Sequence, residues 1–150
     1  MVYSIDYATV IDVVKEEVSK EASMAVNADG ASLYDKLKIT SRDEEKMKRL
    51  ALGALVFIRE QCERFVSSAT LSGDSISLNF TLNASTRRTS GRESSILDLL
   101  QNICANTIIR KYFLSKNETD LSAKYEAIAA EDLNTLKRIL YTKTPPSYSC

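Results

Sequence analysis

Ile76-Ser77-Leu78-Asn79-Phe80-Thr81-Leu82 places an apolar residue at every second position. That is the period of a strand with one covered face. Long segments on either side of it read instead at a helical period. A lone strand cannot satisfy its own backbone N–H and C=O groups. It must therefore pair within the chain, with Asn83–Thr89 or with part of Ser67–Ser72, or else with a neighbouring chain. Its other face, Ser77, Asn79 and Thr81, carries no charge. Exposed edges are usually guarded by charged side chains, so this strand reads as one that is normally covered.

Two helix-like segments precede the strand. From about Ser4 to Met24, Val10, Val14, Val18 and Ala22 recur every four residues, with Ile11 beside them. Asp12, Lys15, Glu16, Glu17, Lys20 and Glu21 fill the remaining surface, so the segment is amphipathic. Asn27-Ala28-Asp29-Gly30 is a turn in which Gly30 can take positive φ. Leu33, Tyr34, Leu37 and Ile39 then anchor a loop with one turn of helix. The next helix opens with a capping box, Ser41 with Glu44 or Thr40 with Asp43, and its acidic first turn suits the helix dipole. Met47, Leu50, Ala51, Ala54, Ile58, Cys62 and Phe65 form its stripe to about Ser67, and the pattern marks it as the central element. Gly53 inside it costs roughly 1 kcal/mol relative to Ala. It marks either a close helix approach or a tolerated glycine.

Two more helices follow the polar, basic segment Ser85–Arg92. One is capped by Ser95 with Asp98 and runs to about Ser115. Ile96, Leu100, Ile103, Cys104, Thr107 and Ile108 make its face, and Leu97, Leu99 and Ile109 broaden it. Such breadth predicts burial on more than one side. The other starts near Asp120 or Ser122, after Lys116–Asp120 breaks the pattern. Its stripe is Tyr125, Ile128, Ala129, Leu133, Leu136 and Leu140, and Thr144-Pro145-Pro146 stops it. The predicted fold is mainly α: a four-helix domain over 1–146, with a short strand or hairpin at about 70–92 between the second and third long helices. A short tail, 147–150, follows.

Composition narrows the function classes. The chain has 150 residues, with 20 basic and 20 acidic side chains. Its zero formal net charge gives no global drive toward nucleic acid or an anionic membrane. No apolar run approaches the ~20 residues of a membrane span, and no basic-then-apolar leader opens the sequence. Histidine is absent, which removes Ser–His and Cys–His catalysis and imidazole metal sites. Four glycines leave no phosphate-cradling loop. The three cysteines, Cys62, Cys104 and Cys150, match no zinc or redox spacing. Cys62 and Cys104 read as small core hydrophobes and Cys150 as a free thiol, usage that suits a reducing cytoplasm. The sequons at Asn83 and Asn117 read as chance matches. The carboxylate clusters at Glu16-Glu17, Asp43-Glu44-Glu45 and Glu131-Asp132 read as solvated or capping helix faces. The expectation is a protein that is not an enzyme and holds no cofactor or metal.

Arg87, Arg88 and Arg92 form the one concentrated basic patch. It would contact DNA phosphates or an acidic partner, or stand as a solvated loop. No aromatic residues interleave with it, so base stacking is not supported.

The order of elements resembles the head–tail connector (neck or adaptor) proteins of tailed bacteriophages and prophages. The shared layout is an N-terminal helix, then a long helix opening with Asp43-Glu44-Glu45 and leading into Leu50-Ala51. The β segment Ile76–Leu82, the helix from Ser95-Ile96-Leu97-Asp98-Leu99-Leu100 to Lys111-Tyr112-Phe113, and a last helix closing on Pro145 complete it. The likeness covers roughly Ser41 to Pro146 and is one of layout, without a diagnostic motif. A longer N-terminal region and a very apolar third helix depart from the usual pattern. The resemblance implies a virion structural subunit, assembled in the bacterial cytoplasm, that forms a homo-oligomeric ring in the neck. Portal, tail and other neck proteins would be its partners, with non-specific contact to DNA in the channel. On that reading Ile76, Leu78, Phe80, Leu82 and Tyr148 would meet a neighbouring subunit. Arg87, Arg88 and Arg92 would face DNA or an acidic partner. The alternative is a small helical interaction or regulatory module of a mobile element, acting as a monomer or dimer.

Overall fold

The computed structural model describes residues 2–72, 77–82 and 91–141. It opens with a strand where a helix was expected from Ser4. In β1 (Val2–Asp6), Tyr3 and Ile5 are buried while Val2, Ser4 and Asp6 are exposed. That alternation is visible in the sequence, but it is five residues long and runs straight into a helical pattern. Asp6 ends the strand and caps α1 (Tyr7–Met24), its carboxylate accepting from the Ala8 N–H at 3.2 Å. One turn of helix, α2 (Tyr34–Leu37), follows the expected turn. Gly30 there has φ +79°, and the Asn27 side chain accepts from both Asp29 and Ala31 N–H.

Of the two capping boxes written at the next helix, Thr40 with Asp43 forms. Asp43 accepts from the Thr40 N–H at 2.9 Å. A 3-10 turn, Ser41–Asp43, leads into α3 (Glu44–Gln61). The helix ends six residues before the expected Ser67, and strand β2 (Val66–Ser72) begins. The Phe65 and Val66 N–H groups both turn back onto the Cys62 carbonyl. Beyond it Val66 and Thr70 are β-branched and Ser67 and Ser68 are weak helix formers, so extended backbone prevails.

The alternating segment is β3 (Ser77–Leu82), and it lies at the centre of a three-stranded antiparallel sheet, order β1-β3-β2. Phe80 faces Tyr3 on one side and Ala69 on the other, and Leu78 lies between Ile5 and Leu71. A bulge between Val66 and Ser68 shifts the β2 register. The pairing is thus intrachain, with Ser67–Ser72 as one partner and the N-terminal strand as the other.

Two long helices complete the chain: α4 (Glu93–Ser115) and α5 (Thr119–Tyr141). No side chain caps the start of α4, where Arg92 holds the cap position, so the Ser95–Asp98 box is not used. A Schellman motif closes it. Asn117 takes φ 61°, its N–H donates to the Leu114 carbonyl, and the Glu118 N–H reaches back to Phe113. The three-residue turn folds α5 back along α4, the most extensive helix pairing in the molecule. α4, rather than α3, is the central helix. It touches α1, α3, α5 and β1, and Ile96, Leu100, Ile103, Cys104, Ile108, Ile109, Tyr112 and Phe113 are all fully buried. Its breadth of apolar residues had the right physical reading.

The mainly helical class with a hairpin between α3 and α4 is the observed architecture. One apolar core joins the sheet's inner face, Tyr3, Ile5, Leu78, Phe80 and Leu82, to α1, α3, α4 and α5. Fully burying a side chain such as Phe80 stabilises by roughly 1.5–3 kcal/mol. Gly53 does not mark a backbone-to-backbone approach. A Cβ there would come 2.6 Å from Lys111 Nζ, the mobile end of a side chain reaching over from α4. No helix among the described residues is long and apolar enough to cross a membrane.

Candidate interaction surfaces

Leu78, Phe80 and Leu82 do not present a docking surface. Their side chains are at most 1% exposed, and both edges of β3 are already paired. The apolar face that read as covered is covered by this chain's own helices. Ile76, Tyr148, Arg87 and Arg88 lie outside the described residues. Arg92 is exposed at the opening of α4.

Sheet edges remain. Among the described residues nothing pairs with the outer edges of β1 and β2. Residues 66–72 read Val-Ser-Ser-Ala-Thr-Leu-Ser, with no charge, proline or glycine, and β1 carries only Asp6. The charges and prolines that normally guard an edge are missing from β2. The uncharged β3 read as a strand with covered edges, and β1 and β2 cover both of them; β2 shares that lack of charge and has an outer edge without a strand partner among the described residues.

A basic surface lies at the far end of α4 from Arg92. The Tyr112 ring is flanked by two ammonium groups, Lys46 Nζ at 5.1 Å and Lys116 Nζ at 5.6 Å from its centroid. Its hydroxyl donates to the Leu37 and Lys38 carbonyls at 2.7 and 3.1 Å, which pins α2 against α4. Burial lowers the Lys46 pKa, and Lys116 and Arg49 add repulsion that Asp43 only partly offsets. Burial, with Asp43 beside it, pushes the Tyr112 hydroxyl up to about 12. Cation–π contact compensates part of this crowding.

Between α1 and α5 is a polar cluster the sequence did not suggest. Glu21, 8% exposed, accepts from Lys124 Nζ and from the Tyr125 hydroxyl at 3.0 Å. The same hydroxyl lies 3.2 Å from Glu17. A phenol has one proton, so the two carboxylates share it. Burial favours the neutral acid, but the bonds from Lys124 and Tyr125 outweigh it and hold Glu21 below the usual carboxylate range. Burial and the two carboxylates drive the Tyr125 hydroxyl far up. Spacing offered a weak hint, since Glu17 and Glu21 share a helix face with buried Val14 and Val18. Nothing in it foretold Tyr125, 104 residues on.

Two clefts open on the surface of the described residues. One, of about 300 Å³, lies between α1 and α3 against Tyr7, Ile11, Ile39 and Met47, and its rim charges, Asp12, Lys15, Glu44 and Lys48, balance. The other, of about 250 Å³, lies between α3, α4 and α5. The thiols of Cys62 and Cys104 are buried, and burial pushes Cys104 up to about 12, so it is a protonated packing group at neutral pH. Among the described residues no three His, Cys, Asp or Glu side chains gather closely enough to hold a metal ion. No family model matches the chain, and neither do any curated protein or solved structure.

Proposed function

We propose that this chain is a structural assembly subunit of the head–tail connector kind, forming a closed ring between portal and tail in the virion neck. The observation that carries the reading is the uncharged outer edge of β2, which has no strand partner among the described residues. An edge without charge is a template for strand addition by another chain, here along Ala69–Ser72, beyond the bulge between Val66 and Ser68. If each subunit offers that edge to a different patch on its neighbour, the contact is heterologous, and it forms a ring when the rotation between subunits closes. The joint then lies at the backbone of β2, and Leu78, Phe80 and Leu82 support it from beneath. Arg92, with Arg87 and Arg88, would meet DNA in the channel or an acidic partner surface. Tyr148 in the tail would reach an adjacent subunit.

A second reading draws on β3. Its backbone is paired on both sides within the chain, so the subunit has a complete sheet core without a neighbour. That favours a small interaction or regulatory module of a mobile element, working as a monomer or dimer.

Mass in solution decides between them. The native protein is measured over a concentration series, alone and with a portal protein, beside Thr70→Lys, which puts a charge on an exposed β2 position. A large defined ring that Thr70→Lys abolishes with helical content intact supports the connector reading. A monomer or dimer that never enlarges supports the module. A ring that Thr70→Lys leaves intact overturns β2 as the joint.

A further inference from the structure

Along the seam between α3 and α4 four cations stand in a row, Lys46 and Arg49 from α3 and Lys111 and Lys116 from α4. Lys46 Nζ and Lys116 Nζ lie 5.1 and 5.6 Å from the centroid of the same Tyr112 ring. Arg49 stands three residues beyond Lys46, on the same side of the helix. One turn further is Gly53, where a Cβ would come 2.6 Å from Lys111 Nζ, so that ammonium rests against the α3 backbone. From Lys46 to Gly53 the row follows two turns of α3, about 10 Å. None of the four cations makes an ion pair among the described residues. Asp43, the carboxylate that acts on Lys46, is taken up in the capping box with Thr40. Burial lowers the Lys46 pKa, and Lys116 and Arg49 lower it further, so the like charges feel one another. Like charges one turn apart weaken a helix. A chain with as many acids as bases could have paired them. The stability of the fold therefore does not account for the row.

We propose that this row binds the phosphate backbone of double-stranded nucleic acid, without reading its sequence. Phosphates supply the counter-charge that the fold withholds, and the salt ions they release drive the contact. Two observations select this partner. The ring at the centre of the row, Tyr112, is fully buried, so it offers no face on which an unpaired base could stack. Neither of the two clefts is lined by any of the four cations, so neither gives a protein partner an anchor pocket at the row. The contact lies at the opposite end of α4 from Arg92 and needs one subunit only, so it stands or falls apart from the ring reading.

Fluorescence anisotropy of a short labelled DNA duplex, titrated with the full chain at salt from about 50 to 200 mM, tests it. Contacts from four cations predict that log K falls with log salt at a slope of about −3 to −4 per subunit. Lys111→Gln and Lys116→Gln should each reduce that slope by about 1 and weaken two unrelated duplex sequences alike. Arg92→Gln should change neither quantity. Variants are compared at native helical content, and Lys111→Gln, which leaves both lysines at the Tyr112 ring in place, decides if Lys116→Gln unfolds. The proposal fails if the native chain shows no salt-dependent binding, or if the folded lysine variants bind as it does. It also fails if Arg92→Gln removes as much affinity as they do, because the contact then lies at the other end of α4. Equally tight binding of a polyglutamate of matched charge overturns it too, because the row then suits an acidic protein.

Discussion

Two seams fasten the N-terminal segment to distant parts of the chain, and they are built from opposite chemistry. β1 is joined to β3 by a backbone ladder over an apolar face in which Tyr3 and Ile5 meet Phe80 and Leu78. α1 is joined to α5 by a carboxylate, Glu21, held by an ammonium and a phenol. The first gains from removing apolar surface from water and is indifferent to pH. The second sets the desolvation of a charge against bonds to it, so its net worth is smaller and depends on protonation. The same chain thus has one seam that resists solution conditions and one that reports them.

Cutting the apolar seam should have the largest effect. Phe80→Ala removes a fully buried ring from the central strand, and a loss of about 3–5 kcal/mol is expected in urea denaturation. A loss below about 1 kcal/mol would mean that β3 is not part of the cooperative core.

The polar seam is expected to respond less, and only above acid pH. Glu21→Gln should cost about 1–2 kcal/mol at pH 7, toward the lower end for a charged hydrogen bond because Lys124 is half exposed. Glu21 has a lowered pKa in the folded chain. Between its folded and unfolded values the unfolded chain binds more protons, so stability rises with pH there. The contribution is complete above the unfolded value, near 4.3, and is lost as pH falls through the folded one. Asp132, whose pKa is raised by burial and by Glu131, is common to both proteins and cancels in the difference. Denaturation of both at pH 7, 5 and 3 should show the gap closing toward pH 3. A gap independent of pH would assign the seam to packing alone.

The smallest effect is expected where neither chemistry operates. At Gly53 a single lysine side chain crosses from α4 to α3. Gly53→Ala should gain a few tenths up to about 1 kcal/mol of helix propensity as Lys111 swings aside. A loss in thermal denaturation would show that Lys111 is held in place and that a third seam exists.

These three places also mark what the sequence disclosed. Phe80 declared itself, because strict alternation over seven residues has one physical reading. The breadth of α4 disclosed its burial on several sides, and Thr40 with Asp43 disclosed the start of the α3 region. β1 was hidden because Val2–Asp6 is short and the next residues continue its apolar rhythm at another period. Glu21 was hidden because an acid on a helix face looks solvated until its partner, 104 residues away, is known. Thr107 read as one more member of an apolar stripe. Only the missing partner of its hydroxyl separates it from the core around it. Free edges are likewise a property of strand order, which pattern alone does not fix.

Strand order has a consequence for synthesis. Because β3 stands between β1 and β2, the pair Ser4 and Asn79, 75 residues apart, can form only after the hairpin has been translated. At ~5–20 residues per second, β1 leaves the ribosome roughly 4–15 s before β3, its strand partner among the described residues. During that interval Tyr3 and Ile5 are exposed on a nascent chain, and chaperone capture there would act on the very strand that completes the sheet.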